Sequence, residues 1–63
     1  MTLTLVNSSA IRAIGWADGI LTVEFHNGRI YDHPHVPYEI YVALMQAESK
    51  GEFYSRRIRG KYR

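Results

Sequence analysis

Two turn dipeptides, Asp18-Gly19 and Asn27-Gly28, constrain the first half of this chain more than any other feature. Each lies between short runs in which apolar and polar residues alternate. Asn, Asp and Gly tolerate the positive φ that tight hairpins require, so dipeptides of this kind between alternating runs are strong hairpin signals. The sequence therefore predicts a three-stranded antiparallel meander over residues 10–33.

The register of the second hairpin depends on the length of its loop. If both loops have two residues, Phe25 faces Ile30, and the two sheet faces separate into an apolar and a polar set. The apolar face then carries Ile14, Trp16, Leu21, Val23, Phe25 and Ile30. The polar face carries Thr22, Glu24, His26, Arg29, Tyr31 and His33. A three-residue loop with a bulge at Gly28 would instead pair Val23 with Tyr31 and turn that tyrosine toward the core.

Two prolines end the predicted sheet, because neither Pro34 nor Pro37 has an N–H group to donate to a strand ladder. Pro37 also suits the first turn of a helix, where that N–H group is not needed. Apolar residues then recur at helical spacing, which predicts an amphipathic helix over Pro37 to Glu48 that covers the apolar sheet face.

A second helix is predicted after a capping box in which Ser49 is followed three residues later by Glu52. It extends over about residues 51–57, with Phe53 or Tyr54, together with Ile58, packed on the core. The predicted fold class is thus α+β, a three-stranded meander followed by two C-terminal helices on one sheet face.

Length and composition limit the class of protein. A chain of 63 residues forms one domain, and with 46% hydrophobic residues it is too apolar to be disordered. It has no cysteine, so disulfides and thiolate metal sites are excluded and a reducing compartment is the default. No apolar run has the length of a membrane span and no signal peptide is recognisable, so the expected location is cytoplasmic, with no membrane partner.

Positive charge is concentrated at the C-terminus. Residues 50–63 hold six cations and one anion, a local net charge of +5, whereas residues 1–49 hold two cations and five anions, a net of −3. Tyr54 and Tyr62 are interleaved with the cations of the basic tail, residues 56–63. Guanidinium and ammonium groups neutralise phosphates and aromatic rings stack on bases, so this composition is typical of RNA binding. A solvated, frayed tail has the same composition.

The polar sheet face offers further candidates for RNA binding. Tyr31 and His33, with Arg29 beside them, would form a stacking platform on an open sheet face. The tail would supply phosphate contacts, and the complete predicted site comprises Arg29, Tyr31, His33, Tyr54, Arg56, Arg57, Arg59 and Lys61. The alternatives are cross-strand packing of Tyr31 with Glu24 or Val23 and a merely solubilising tail.

Metal binding and catalysis are not predicted. His26, His33 and His35 lack the further ligands that a structural zinc site requires. So short a chain has few residues with which to enclose a pocket that excludes water, and it has no phosphate-binding loop, nucleophile elbow or carboxylate pair. The expectation is a non-catalytic protein without a cofactor.

The order and spacing of several short motifs resemble the KTSC domain family over about residues 6–62. The motifs are Asn7-Ser-Ser-Ala-Ile11, Leu21-Thr-Val-Glu-Phe25, Asn27-Gly28, Tyr31-Asp-His33, Val36-Pro37, Ala47-Glu-Ser-Lys-Gly51 and Ile58-Arg59. The family is named for its occurrence at the C-terminus of some lysyl-tRNA synthetases and also occurs alone in bacterial and phage proteins. It typically has Tyr-x-Tyr where this chain has Tyr31-Asp32-His33. The resemblance implies an RNA-binding role, which has been proposed for the family.

Two functions from different classes follow. The first is a small non-catalytic module that binds RNA through a basic aromatic surface. The second is a protein-interaction or accessory module, in which the exposed sheet edges accept a partner or the basic tail meets an acidic protein surface.

Overall fold

The described part of the chain, residues 3–62 of a computed structural model, is one antiparallel sheet followed by helices. The strands, in the spatial order β1-β2-β3-β4, are β1 (Thr4–Leu5), β2 (Ile11–Ala17), β3 (Ile20–Phe25) and β4 (Ile30–His33). The helices are α1 (Tyr38–Gln46) and α2 (Lys50–Phe53), and a π-helical segment, Tyr54–Ile58, continues α2. Arg63 of the predicted basic tail lies outside the described residues.

The sheet has four strands, so the α+β class is confirmed and the three-stranded count is wrong. The additional strand β1 has only two residues, and it pairs with Ala13 and Ile14 of β2. Two residues are too few to show the alternation from which strands are recognised in a sequence.

The first hairpin has the predicted register from its turn to Ala13 and Glu24, and a bulge beyond that point pairs Ile11 with Phe25. Its loop is Asp18-Gly19, with φ of 52° and 82°, as a two-residue hairpin turn requires. Trp16 pairs with Leu21, so the first two long strands place their apolar side chains on one face as predicted.

The second hairpin has the alternative register. The Phe25 N–H donates to the Arg29 carbonyl over 2.8 Å, which closes a three-residue loop, and Gly28 within it has φ of 90°. Val23 consequently pairs with Tyr31. The two-residue loop is therefore wrong. This register turns Tyr31 and His33 of β4 to the helix-covered face. It leaves Ile30 57% exposed on the other face.

The helices cover one sheet face and complete the hydrophobic core. The fully or nearly buried members of the core are Ile11, Ile14, Leu21, Val23, Val36, Leu44, Tyr54 and Ile58. Helix α1 follows Pro37 and ends at Gln46, two residues before the predicted end, because Ala47 is already extended. No helix of residues 3–62 has both the length and the apolar character needed to cross a bilayer.

The second helix begins at the predicted cap. The Ser49 hydroxyl accepts the N–H of Glu52 over 3.4 Å, as the serine half of a capping box does. The Glu52 carboxylate lies 3.4 Å from the Arg56 guanidinium, one helical turn further along. The helix continues to Ile58 in π form, and Tyr54 and Ile58 anchor it to the core as expected.

Candidate functional site

A groove opens between β4 and the π-helical segment. Its volume is about 400 Å³. The β3–β4 loop and the residue after the π-helical segment complete its rim. The lining residues are Phe25, Asn27, Arg29, Tyr31, His33, Tyr54, Ser55 and Arg59, a set with two arginines and no carboxylate. We call this feature the β4 groove.

Aromatic rings in edge-to-face contact form the base of the β4 groove. The Phe25 ring centroid lies 5.7 Å from that of Tyr31 and 5.2 Å from that of Tyr54, and both pairs are T-shaped. Contacts of this geometry stabilise beyond the burial of their area. Tyr31 remains 42% exposed, whereas Tyr54 is 6% exposed, so Tyr31 alone of these two offers an open ring surface.

His33 connects the β4 groove to the C-terminal segment and is only 8% exposed. Its Nδ1 atom is hydrogen-bonded to the backbone carbonyl of Tyr62, and its Nε2 atom lies 2.7 Å from the Tyr54 hydroxyl. Both ring nitrogens therefore have partners, as a buried imidazole requires. The hydrogen bonds fix the ring and hold the C-terminal segment against β4.

The two arginines carry the charge of the β4 groove. Hydrogen bonding to the Tyr31 side chain raises the pKa of the Arg29 guanidinium, which thus stays charged. Burial raises the pKa of the Tyr54 phenol, its proximity to Tyr31 adds to that effect, and the nearby Arg59 guanidinium opposes it. Arg59 lines the same groove as Tyr54. Two cations without an opposing carboxylate make the groove suited to an anion.

The structure divides the predicted site residues into groups. Five of them, Arg29, Tyr31, His33, Tyr54 and Arg59, line the β4 groove. Arg56 and Arg57 instead line a second depression with residues from the α1–α2 connection and α2, where Glu48 and Glu52 supply negative charge. Lys61 is exposed and lines neither depression.

The stacking platform on the open sheet face is wrong in its position. In the observed register Tyr31 and His33 lie on the helix-covered face. The residues that alternate with them along β4 have their side chains on the open face. His33 and Tyr54 are buried, so neither presents a free ring for stacking. The physical reason is the extra loop residue, which moves every β4 side chain to the opposite face.

Three further residues line the groove without being indicated by the sequence as site residues: Phe25, Asn27 and Ser55. The sequence places Phe25 on the apolar sheet face, and the side chain does pack against the buried cluster. The three-residue alternative for the loop contained the signal, since it places Tyr31 opposite Val23 and diagonally beside Phe25. Ser55 lies in the π-helical segment that borders the groove, and nothing in the local sequence indicates that it lines the groove.

The histidines do not assemble into a ligand set. His26 Nε2 is 2.8 Å from the Ser8 carbonyl, whereas Nε2 of His33 is hydrogen-bonded to the Tyr54 hydroxyl, so the two rings have different partners. Within the described residues, no three or more His, Cys, Asp or Glu side chains are grouped as a metal site would need. The donors that face the β4 groove are the guanidinium groups and the side chains of Asn27 and Ser55, which suit a phosphate or another polar ligand.

The sequence and the fold are both similar to known proteins. A protein from Tsukamurella paurometabola is 38% identical over 60 residues, 92% of this chain and 90% of that protein. An uncharacterized protein from Stutzerimonas stutzeri is 34% identical over 58 residues, 89% of this chain and 82% of that protein. The crystal structure of a KTSC domain protein from Yersinia pestis superposes with a TM-score of 0.93 at 33% identity, covering 98% of this chain and 90% of that one. The KTSC domain profile matches residues 7–62, and the chain belongs to the KTSC domain family.

Proposed function

We propose that this protein is a small non-catalytic module that binds single-stranded RNA in the β4 groove. The observation that carries the proposal is the composition of the groove, in which two arginines and an exposed tyrosine ring meet without any carboxylate. Phosphate neutralisation and base stacking are the two interactions from which single-strand binding is built.

The geometry supports binding of one nucleotide unit at a time. The volume of about 400 Å³ lies at the small end of the range of about 300–1,000 Å³ for sites that hold small organic molecules. Arg29 and Arg59 would contact phosphate oxygens, and the exposed part of the Tyr31 ring would stack on a base. Aromatic faces stack on every base, so we expect little dependence on sequence.

The hydrogen bonds of His33 support a non-catalytic role. Acid–base cleavage of RNA by a histidine needs a ring nitrogen that reaches the substrate. In His33, the only histidine of the groove, Nε2 contacts the Tyr54 hydroxyl and Nδ1 contacts the Tyr62 carbonyl. A histidine held in this way serves structure and positioning. A cytoplasmic location, where an RNA ligand is met, remains part of the proposal.

The test compares two double variants that remove the same charge. Each guanidinium that neutralises a phosphate of a single strand contributes about 0.7 to the slope of log affinity against log salt concentration. Arg29→Ala with Arg59→Ala should weaken binding of a short single-stranded RNA and reduce that slope by about 1.4. The matched control is Arg56→Ala with Arg57→Ala, which removes two arginines from the second depression and should have a smaller effect.

Fluorescence anisotropy at several salt concentrations provides the measurement. Equal losses in the two double variants would show that only overall charge matters and would contradict a role for the β4 groove. Failure of the unaltered protein to bind RNA even at low salt would end the proposal.

A second candidate, a protein-interaction module, is favoured by the sheet face opposite the helices. Leu5, Ala13, Glu24 and Ile30 form one cross-strand row on that face. Leu5 is 68% exposed and Ile30 57%, so the row carries an exposed large apolar side chain on each of the two edge strands. Capture from a nuclease-treated lysate distinguishes the two candidates, because a protein partner persists when nucleic acid is removed.

A further inference from the structure

The hydrogen bonds of His33 define which of its ring nitrogens carries a proton. The Tyr62 carbonyl can only accept, so Nδ1 must carry the hydrogen that it donates. In the neutral ring Nε2 is then unprotonated and accepts the O–H of Tyr54 over 2.7 Å. The single hydrogen of the Tyr54 hydroxyl therefore points at His33.

Protonation of His33 would reverse one of these two hydrogen bonds. An imidazolium has a hydrogen on both nitrogens, so Nδ1 would still donate to Tyr62 while Nε2 would donate to the Tyr54 oxygen. The Tyr54 O–H must then turn to another acceptor. Tyr54 lines the β4 groove, so an anion bound there would offer such an acceptor.

The β4 groove surrounds His33 with charged and titratable groups. The charged and titratable groups that line the groove with it are Arg29, Tyr31, Tyr54 and Arg59. The C-terminal segment presents the Tyr62 carbonyl to the ring. A phosphodiester in the groove would place a negative charge beside the ring and would favour an imidazolium there.

We propose that binding of a phosphodiester in the β4 groove is coupled to protonation of His33, through reversal of its hydrogen bond with Tyr54. The inference rests on the proposed function, because it assigns the ligand to the same groove. Coupling of this kind is reciprocal, so the ligand promotes proton uptake and protonation strengthens binding. His33 acts here as a positioning residue, and Tyr54 supplies the group that meets the anion.

The experiment measures the affinity for oligouridylate at constant salt between about pH 8 and about pH 5.5, the interval in which imidazoles titrate. Uracil and phosphodiester groups keep their charge over this interval, so the probe itself does not titrate. One additional charge near the phosphate should strengthen binding roughly fivefold as the pH falls.

Two histidine variants with the same chemical change provide the controls. His33→Asn keeps a donor for the Tyr62 carbonyl but does not titrate, and it should abolish the pH dependence. His35→Asn should retain the pH dependence, because His35 is exposed, lines no part of the groove and has φ of 61°, which Asn tolerates.

A second readout needs no variant at His33. Nitrogen NMR of the unaltered protein near neutral pH should show that Nε2 of His33 gains a proton when oligouridylate is added. Binding that is equally strong at both pH values, or pH dependence that survives in His33→Asn, overturns the coupling and leaves the groove as the RNA site. Absence of binding at either pH overturns the coupling and the proposed function together.

Discussion

At the scale of single residues, Tyr54 links the hydrophobic core to the β4 groove through one hydroxyl group. Tyr54→Phe keeps the ring that packs on Phe25. It removes the O–H that donates a hydrogen bond to Nε2 of His33. An acceptor left unpaired in a buried position costs about 1–3 kcal/mol, and we expect that loss in the free energy of unfolding measured with urea. The matched change Tyr38→Phe, at a tyrosine that is 54% exposed, should stay within about 0.5 kcal/mol of the parent.

The contribution of Tyr54 should also depend on pH in the alkaline range. Its pKa is raised by burial, so the folded protein keeps the phenolic proton at a pH where the unfolded chain has lost it. The stabilisation is therefore fully present below the ordinary phenol pKa of about 10 and is lost as the pH rises through the folded-state value. The stability difference between the parent and Tyr54→Phe should shrink over that interval, and a constant difference would contradict the assignment.

At the scale of secondary structure elements, the β3–β4 loop decides which side chains reach the groove. Gly28 has φ of 90°, and an added Cβ would meet no heavy atom within 4 Å, so the cost of a side chain there is purely conformational. We expect Gly28→Ala to lower the free energy of unfolding by about 1–2 kcal/mol. Gly28→Asn should cost less, since Asn accepts positive φ more readily than Ala. Thermal denaturation checks the order, and equal costs would contradict it.

The same loop shows how far the sequence determines this fold. Turn chemistry and alternation were sufficient for β2, β3 and their register next to the turn, because Asp18-Gly19 closes a loop whose length is unambiguous, but they did not predict the bulge between Ile11 and Ala13. They were insufficient for β4, because Asn27-Gly28 fits loops of two or three residues and the choice is made by hydrogen bonds such as that from Phe25 N–H to Arg29. A difference of one residue in this loop moved the side chains of β4 to the opposite face of the sheet.

The candidate site was predictable to a similar degree. Residue types alone identified Arg29, Tyr31 and Arg59, since cations and aromatic rings in one small domain point to nucleic acid. The separation of Arg56 and Arg57 from Arg59 was not predictable, because it depends on the path of the π-helical segment. A π-helix changes the direction of successive side chains relative to an α-helix, and sequence periodicity assumes the α-helical angle.

At the scale of the whole molecule, the core and the β4 groove share the same anchors. Tyr54 belongs to the buried cluster and lines the groove, and Ile58 at the end of the π-helical segment is fully buried next to Arg59. Domains are stable by roughly 0.05–0.15 kcal/mol per residue, which amounts to about 3–9 kcal/mol for a chain of 63 residues. Because the free energy of unfolding is so small, the contribution of one buried anchor residue is a large part of it.

Loss of the Ile58 anchor should therefore remove both the fold and the groove. Ile58→Ala should cost about 2–5 kcal/mol, the usual range for such a truncation in a core. Ile30→Ala is the matched change on the open sheet face, where the side chain is 57% exposed, and it should cost well under half as much. Urea denaturation gives the two free energies of unfolding, and RNA binding is measured on the same samples.

Because Ile58 immediately precedes Arg59, RNA binding should fall in proportion to the folded fraction in Ile58→Ala and stay near the parent value in Ile30→Ala. Full RNA affinity in an unfolded Ile58→Ala sample would place binding in the basic tail alone and exclude the groove.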